Sequence, residues 1–193
     1  MLLYLHGFES SPQSLKIIQT QQYLAARGVD ERILVAPQQP VKMAAIRDYL
    51  DQVIAHQPLT AVMGSSLGGF WTHYVVSQIW RVQQRKVRGV LINPAVRPYS
   101  WMPEEAIERQ HPYTQEIYHL DMSDREVLMD AERQFDEQAD LLVLLQAGDE
   151  RLDYRQARDY YQNQRMIVEQ SGDHSFVDFP RYLPAALEFL NVL

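Results

Sequence analysis

LTAVMGSSLGGF, residues 59–70, is an apolar run that breaks into two serines set among glycines. The run LTAVM predicts a strand over 59–63, and residues 67–84 carry helical periodicity. Between them lies GSSLG (64–68), with the spacing G-x-S-x-G. A sharp turn from strand to helix brings the positions two before and two after the central residue together. Side chains there would collide, which is the physical reason for Gly64 and Gly68. The turn strains Ser66, exposes its hydroxyl and aims the start of a helix at it. The Leu67 N–H then points where an oxyanion would form. Ser65 is the competing hydroxyl, but it sits on the flank of the pattern and is not aimed by the turn. No Gly-Lys-Ser/Thr follows, so the loop is not a phosphate-binding P-loop.

The same alternation of short apolar runs and amphipathic stretches continues in both directions. LLYL (2–5), RILVA (32–36), GVLIN (89–93), DLLVLLQ (140–146) and RMIVEQ (165–170) read as strands. Residues 14–27, 41–56, 153–163 and 181–192 read as helices, the first stopping at Gly28. Strands alternating with helices predict βαβ units. Runs that are apolar throughout predict strands covered on both faces. The expected fold is α/β: a doubly wound, mostly parallel sheet of six strands in one domain over 1–193. One interval breaks the rhythm. Residues 95–139 are longer than a crossover helix needs and hold Trp101, His111, Tyr113, Tyr118 and His119. They are expected to form an insertion or lid between the fourth and fifth strands. The alternative is one crossover helix, 126–138, after a long surface loop.

In open α/β sheets, functional groups gather beyond the carboxyl ends of the strands. The residues that follow each strand include His6, Gly7 and Phe8; Ser66; Asn93 and Arg97; Asp149, Arg151 and Asp153; and Asp173 and His174. A serine hydroxyl needs a base to become a nucleophile. His174, in the small-residue loop SGDHSF after the last strand, is the histidine that can reach Ser66. His56 and His73 fall within helices, and His111 and His119 within the insertion. The base needs an acid to fix its tautomer and stabilise the imidazolium. Asp149 directly follows its strand's glycine and is favoured; Asp153, four residues on, reads more simply as a helix N-cap. Asp173 adjoins His174 too closely in sequence to serve. A second oxyanion donor is expected from the Phe8 N–H, with Gly7 allowing close approach of the backbone. The chain order Ser66, Asp149, His174 is the α/β-hydrolase order.

Composition bounds the alternatives. The chain of 193 residues carries a net charge of −7, which argues against a nucleic-acid backbone as partner. It has no cysteine, which excludes disulfides, thiolate zinc sites and a thiol nucleophile. The basic run RVQQRKVRG (81–89) falls at the far end of the helix that begins at the elbow, about 20 Å from the active edge. There it complements the helix dipole rather than a substrate. No basic leader and no membrane-spanning apolar segment is evident, so the expected location is the cytoplasm.

At family level, LLYLHGFESSP (2–12), MGSSLGGFW (63–71), INPAVRPY (92–99), HPYT (111–114), LLQAGDERLDYRQA (144–157) and GDHSF (172–176) resemble the YqiA-type small esterases of the α/β-hydrolase superfamily. The resemblance covers nearly the whole chain. It implies hydrolysis of carboxylic esters and of acyl thioesters such as acyl-CoA, with no metal and no organic cofactor. On matching positions it implies Ser66 as nucleophile, an acid in the Asp149 motif and His174 as base. Arg151 stands where an apolar residue is expected, and His111 where an asparagine is usual before PYT. His6, Gly7, Arg97, His111, Tyr113 and Arg151 are the expected substrate contacts, with Arg97 and Arg151 suited to an anionic group. The competing readings are a binding protein that kept the fold and lost turnover, and an acyltransferase using the same three residues.

Overall fold

The computed structural model describes residues 1–193. Its main sheet has six strands: β1 (Leu2–Leu5), β2 (Leu34–Val35), β3 (Ala61–Ser65), β4 (Arg88–Ile92), β7 (Asp140–Gln146) and β8 (Arg165–Glu169). Their order across the sheet is β2-β1-β3-β4-β7-β8, and every pairing is parallel. From β1 the chain winds outward to β2, then returns past β1 to β3 and runs the other way. The loops after β1 and β3 therefore leave in opposite directions from adjacent strands. That divergence opens a crevice at the carboxyl edge of the sheet, where ligands of such folds bind.

Strand side chains alternate between two buried layers. Leu3, Leu5, Val62, Leu91, Val143 and Leu145 join α2 (Met43–His56) and α3 (Leu67–Gln83) in one core. Leu2, Tyr4, Met63, Val90, Leu142 and Leu144 join α1 (Leu15–Ala26) and α6 (Leu183–Phe189) in the other. Burial on both faces explains why the strands read as unbroken apolar runs. α3 is covered almost all round: every residue from Leu67 to Ile79 is buried. No helix is long and apolar enough to cross a membrane.

Several elements differ from the expectations. The stretch 32–36 contributes only the two residues of β2, because Glu31–Ile33 form a 3-10 turn capped by Asp30. β3 begins two residues later than expected and runs through Ser65. The closing helix starts as a 3-10 turn at Phe179–Tyr182 before α6. α5 spans Tyr154–Tyr160, shorter than 153–163. The insertion is neither a bare loop nor a separate layer. It holds a 3-10 turn (Pro98–Trp101), an antiparallel hairpin of β5 (Ile107–Gln110) and β6 (Ile117–Leu120), and α4 (Met122–Glu132). α4 is the crossover helix, but it starts four residues before 126. A capping box sets its start, with the Asp121 and Asp124 side chains reciprocally bonded to backbone N–H groups.

The tightest backbone approach in this frame is at the β3–α3 turn. A Cβ on Gly68 would stand 2.6 Å from the His6 carbonyl oxygen and closer still to that of Leu5, at the end of β1. A Cβ on Gly64 would overlap the Gly68 carbonyl and Thr72 Oγ1. Gly68→Ala is therefore expected to cost about 3 kcal/mol or more, the upper end of overpacking penalties. Gly28→Ala is the control: its φ is +70° but nothing lies within 4 Å of the added carbon, so strain alone should cost about 1 kcal/mol. Chemical denaturation of the two variants checks the ranking; equal costs would refute the crowding argument.

Candidate active site

Ser66 sits between β3 and α3 with φ 55° and ψ −123°, a conformation that a side-chain-bearing residue rarely adopts. Four backbone bonds hold it there. Its N–H donates to Ile92 O at 3.0 Å, and its carbonyl accepts from Gly69 N at 2.9 Å, Ala95 N at 3.0 Å and Phe70 N at 3.4 Å. Strain of this kind persists only where the surroundings over-determine it. The Ser66 side chain makes no hydrogen bond within the protein, while Ser65 is buried in the strand. Leu67 is the first residue of α3, so its N–H has no acceptor within the helix.

Asp149 and His174 meet across the ends of β7 and β8. His174 Nδ1 lies 2.8 Å from Asp149 Oδ2 and 3.0 Å from Oδ1. Facing a carboxylate, Nδ1 carries the proton and donates, which leaves Nε2 with its lone pair. Asp149 Oδ1 also accepts from the Arg151 and Leu152 N–H groups, both at 2.9 Å. Burial pushes the Asp149 carboxyl up, but the bonds from His174, Leu152 and Arg151 hold it below its ordinary value. It stays an acceptor at neutral pH. Asp153 is engaged elsewhere: it caps α5, accepting from Arg155 N at 3.0 Å and pairing with the Arg155 side chain.

The loop after β1 lies against the elbow. A Cβ on Gly7 would be 3.3 Å from Ser66 Cβ and 3.8 Å from its Oγ. The Phe8 N–H takes no backbone or side-chain acceptor in the fold. His6 is buried, and both of its ring nitrogens are used by the protein: Nδ1 donates to Gly7 O at 2.9 Å and Nε2 accepts from Gln39 N at 3.3 Å. Burial pushes its pKa down. His6 therefore shapes the loop and has no ring nitrogen left for a ligand. The hairpin closes over this loop through Glu9. Arg109 Nε and Nη2 each donate to Glu9 at 2.7 Å, and the Tyr118 hydroxyl does so at 2.7 Å. His111 is buried at the end of β5, its Nδ1 accepting from Tyr113 N and Thr114 N. The Tyr113 ring is 63% exposed on the hairpin turn. Glu9, Arg109, Tyr118 and Gln39 were not among the expected site residues. Their pairings span 33 to 109 positions and leave no local pattern to read.

On the other side of the elbow, Pro94, Val96, Trp101, Arg151, Leu152 and Gln156 line a cleft. The Arg151 side chain is 74% exposed, with only a loose 3.9 Å approach to Glu150. Arg97 is exposed, has a left-handed φ of 49° and lies over the Tyr160 ring at 5.8 Å. The remaining histidines stand apart. His73 is a core residue stacked on Phe135, and burial lowers its pKa to about 4. His56 ends α2, and His119 approaches Glu108 on the outer face of the hairpin. The basic run serves the opposite edge, where Arg85 donates to Leu59 O and Arg88 pairs with Asp140. No group of three or more acidic, histidine or cysteine side chains has the geometry of a metal site.

Residues 1–191 match the family model described as an uncharacterised protein family, UPF0227, and the chain belongs to that YqiA-like family. Solved α/β-hydrolase structures share its fold at low identity. Est1E from Butyrivibrio proteoclasticus matches with a TM-score of 0.72 and 15% identity over 99% of this chain and 86% of its own. Alpha/beta hydrolase domain-containing protein 10 from mouse gives 0.69 and 13%, over 99% and 89%. The Pyrococcus furiosus esterase Pf2001 gives 0.62 and 14%, over 99% and 80%.

The Glu9 hub yields a pH prediction. The Arg109 hydrogen bonds, opposed by partial burial and aided by Tyr118, hold the Glu9 carboxyl below its ordinary value. A depressed folded pKa contributes stability above the unfolded value of about 4.3, lost as pH falls through the folded one. Hydrogen exchange of the β5–β6 amides should therefore accelerate below about pH 4, ahead of the central sheet. Glu9→Gln should reproduce the loosening at pH 7. Hairpin amides that stay as protected as the sheet in both tests would show that Glu9 does not fasten the hairpin.

Proposed function

We propose that this protein is a serine hydrolase that cleaves carboxylic esters through an acyl-enzyme intermediate. Ser66 Oγ attacks the acyl carbonyl carbon as its proton passes to His174 Nε2. Asp149 holds the imidazole in the Nδ1–H tautomer and stabilises the imidazolium. The Phe8 and Leu67 N–H groups receive the oxyanion. On collapse, the bond to the leaving oxygen breaks and His174 returns the proton to it. Water then attacks the acyl-enzyme by the same route, releasing the acid and restoring Ser66. The observation that carries the reading is the 2.8 Å Asp149–His174 pair on the same sheet edge as a serine held at positive φ. The esterase and hydrolase descriptions of the structural neighbours agree with it. In this reading the chain is one catalytic domain, its hairpin acts as the lid, and His111 and Tyr113 contact substrate from it.

Ser66→Ala should keep the fold and lower kcat on p-nitrophenyl esters by on the order of 10⁶. A serine-directed phosphonate should label Ser66 alone. Asp149→Asn should lower kcat by about 10⁴, by analogy with a comparable triad. Asp153→Asn should cost only a helix cap, about 1 kcal/mol of stability. Labelling at Ser65, retained activity in Ser66→Ala or the reverse ranking of the two aspartates would overturn the assignment.

Acyl thioesters extend the substrate range in this reading. Arg97 and Arg151 leave the active edge after β4 and β7 with little or no ion pairing, and each can pair with a phosphate or carboxylate. The double variant Arg97→Ala, Arg151→Ala should raise KM for an acyl-CoA while leaving KM for a neutral p-nitrophenyl ester unchanged. Added salt should weaken the first interaction more than the second. An equal response of both substrates would make the two arginines structural.

A further inference from the structure

His174 stands in a stretch, residues 171–178, that belongs to no strand or helix. Gln146, the last residue of β7, is only 2% exposed and reaches into that loop. Its Oε1 accepts from Asp173 N at 3.1 Å and Val177 N at 2.8 Å, and its Nε2 donates to Val177 O at 2.8 Å. Two N–H groups facing one end of the amide and a carbonyl facing the other fix its orientation. The same residue holds the acid, since its carbonyl accepts from Asp149 N at 3.1 Å.

Asn93, directly after β4, is 3% exposed and locks this arrangement. Its N–H donates to Leu144 O at 2.8 Å, which extends the β4–β7 pairing by one residue. Its Oδ1 accepts from Gln146 N at 2.9 Å, and its Nδ2 donates to Asp173 O at 3.0 Å. Every polar atom of the two buried amides faces either a strand end or the loop that carries His174.

We infer that Gln146 and Asn93 are positioning residues for the acid–base pair. Gln146 sets both ends of the 2.8 Å Asp149–His174 bond, the acid through its backbone and the base through its side chain. Asn93 ties that assembly to β4, the strand whose Ile92 carbonyl also receives the Ser66 N–H. Nucleophile, acid and base are thus referred to one rigid set of strand ends. The inference rests on the proposed roles of Ser66, Asp149 and His174. Proton transfer between them depends on placement, and a misplacement of about 1 Å can cost on the order of 10²-fold in rate.

Two variants test it. Gln146→Met removes three side-chain bonds at nearly constant volume. Asn93→Asp tolerates the left-handed φ of 40° and keeps the acceptor, but sets an oxygen against Asp173 O. The readouts are the melting temperature, kcat and KM on a p-nitrophenyl ester, and the downfield proton resonance of His174 Nδ1–H, identified by its loss in Asp149→Asn. At a temperature where each variant is folded, kcat should fall by about 10²-fold for Gln146→Met and less for Asn93→Asp, with KM within about twofold. The downfield resonance should broaden or vanish. Variants that melt earlier but keep wild-type kcat and the resonance would overturn the inference and leave a purely structural role. If Gln146→Met does not fold, Asn93→Asp decides by the same criteria. A failure of the esterase reading looks different: the wild type would neither turn over esters nor react with a phosphonate. The resonance in Asn93→Asp then still decides, its loss supporting the clamp and its persistence overturning it.

Discussion

The close approach of β1 to the first turn of α3 is the constraint from which the site follows. β1 and β3 are adjacent, so the turn after β3 must share its volume with the backbone leaving β1. The Leu5 and His6 carbonyls occupy the place a side chain at 68 would take, and the Gly68 carbonyl occupies that of a side chain at 64. With both side chains absent, the turn closes tightly enough to hold Ser66 at positive φ and to bring Gly7 against it. The same crowding thus produces the exposed hydroxyl and the loop that faces it.

Each further group is fastened to this junction by a long-range polar contact. The hairpin is held through Glu9, two residues beyond Gly7, by Arg109 and Tyr118. Those bonds involve a largely buried carboxylate and a bidentate guanidinium, the geometry in which an ion pair is worth more than the usual surface pair. His6 contributes in the same way: a neutral buried ring that donates to the carbonyl of its own loop and accepts from Gln39. The proposed acid and base meet on the far side, where the ends of β7 and β8 run side by side.

Structural neighbours at 13–15% identity share this frame, and a frame alone carries no chemistry. The functional reading comes instead from particular atoms: a strained serine, a carboxylate kept ionised by three donors, and an imidazole whose free nitrogen is left to act as base. The two clefts flanking the elbow differ in character. One is shut in by His6, His111 and Tyr118; the other is edged by Trp101 and the exposed Arg151.

What was legible in the amino-acid sequence was local. Apolar runs announced all six sheet strands, and the glycine spacing announced the elbow, because both are set by neighbours in the chain. The N-cap reading of Asp153 was legible for the same reason: the helical pattern begins directly after it, and Asp153 caps α5. β2 is shorter than the run 32–36, since a 3-10 turn capped by Asp30 takes Arg32 and Ile33 and leaves Leu34 and Val35 as strand. The β5–β6 hairpin escaped notice because its strands are half exposed and IERQ is largely polar, so no apolar run marks it. Only the tertiary structure decided that Arg109 lies beside Glu9, that His6 is enclosed, and that Gln146 reaches from one strand end to the next loop. Those contacts join residues 31 to 100 positions apart, and at such separations the partner is chosen by the packing of the sheet, not by any pattern in the chain.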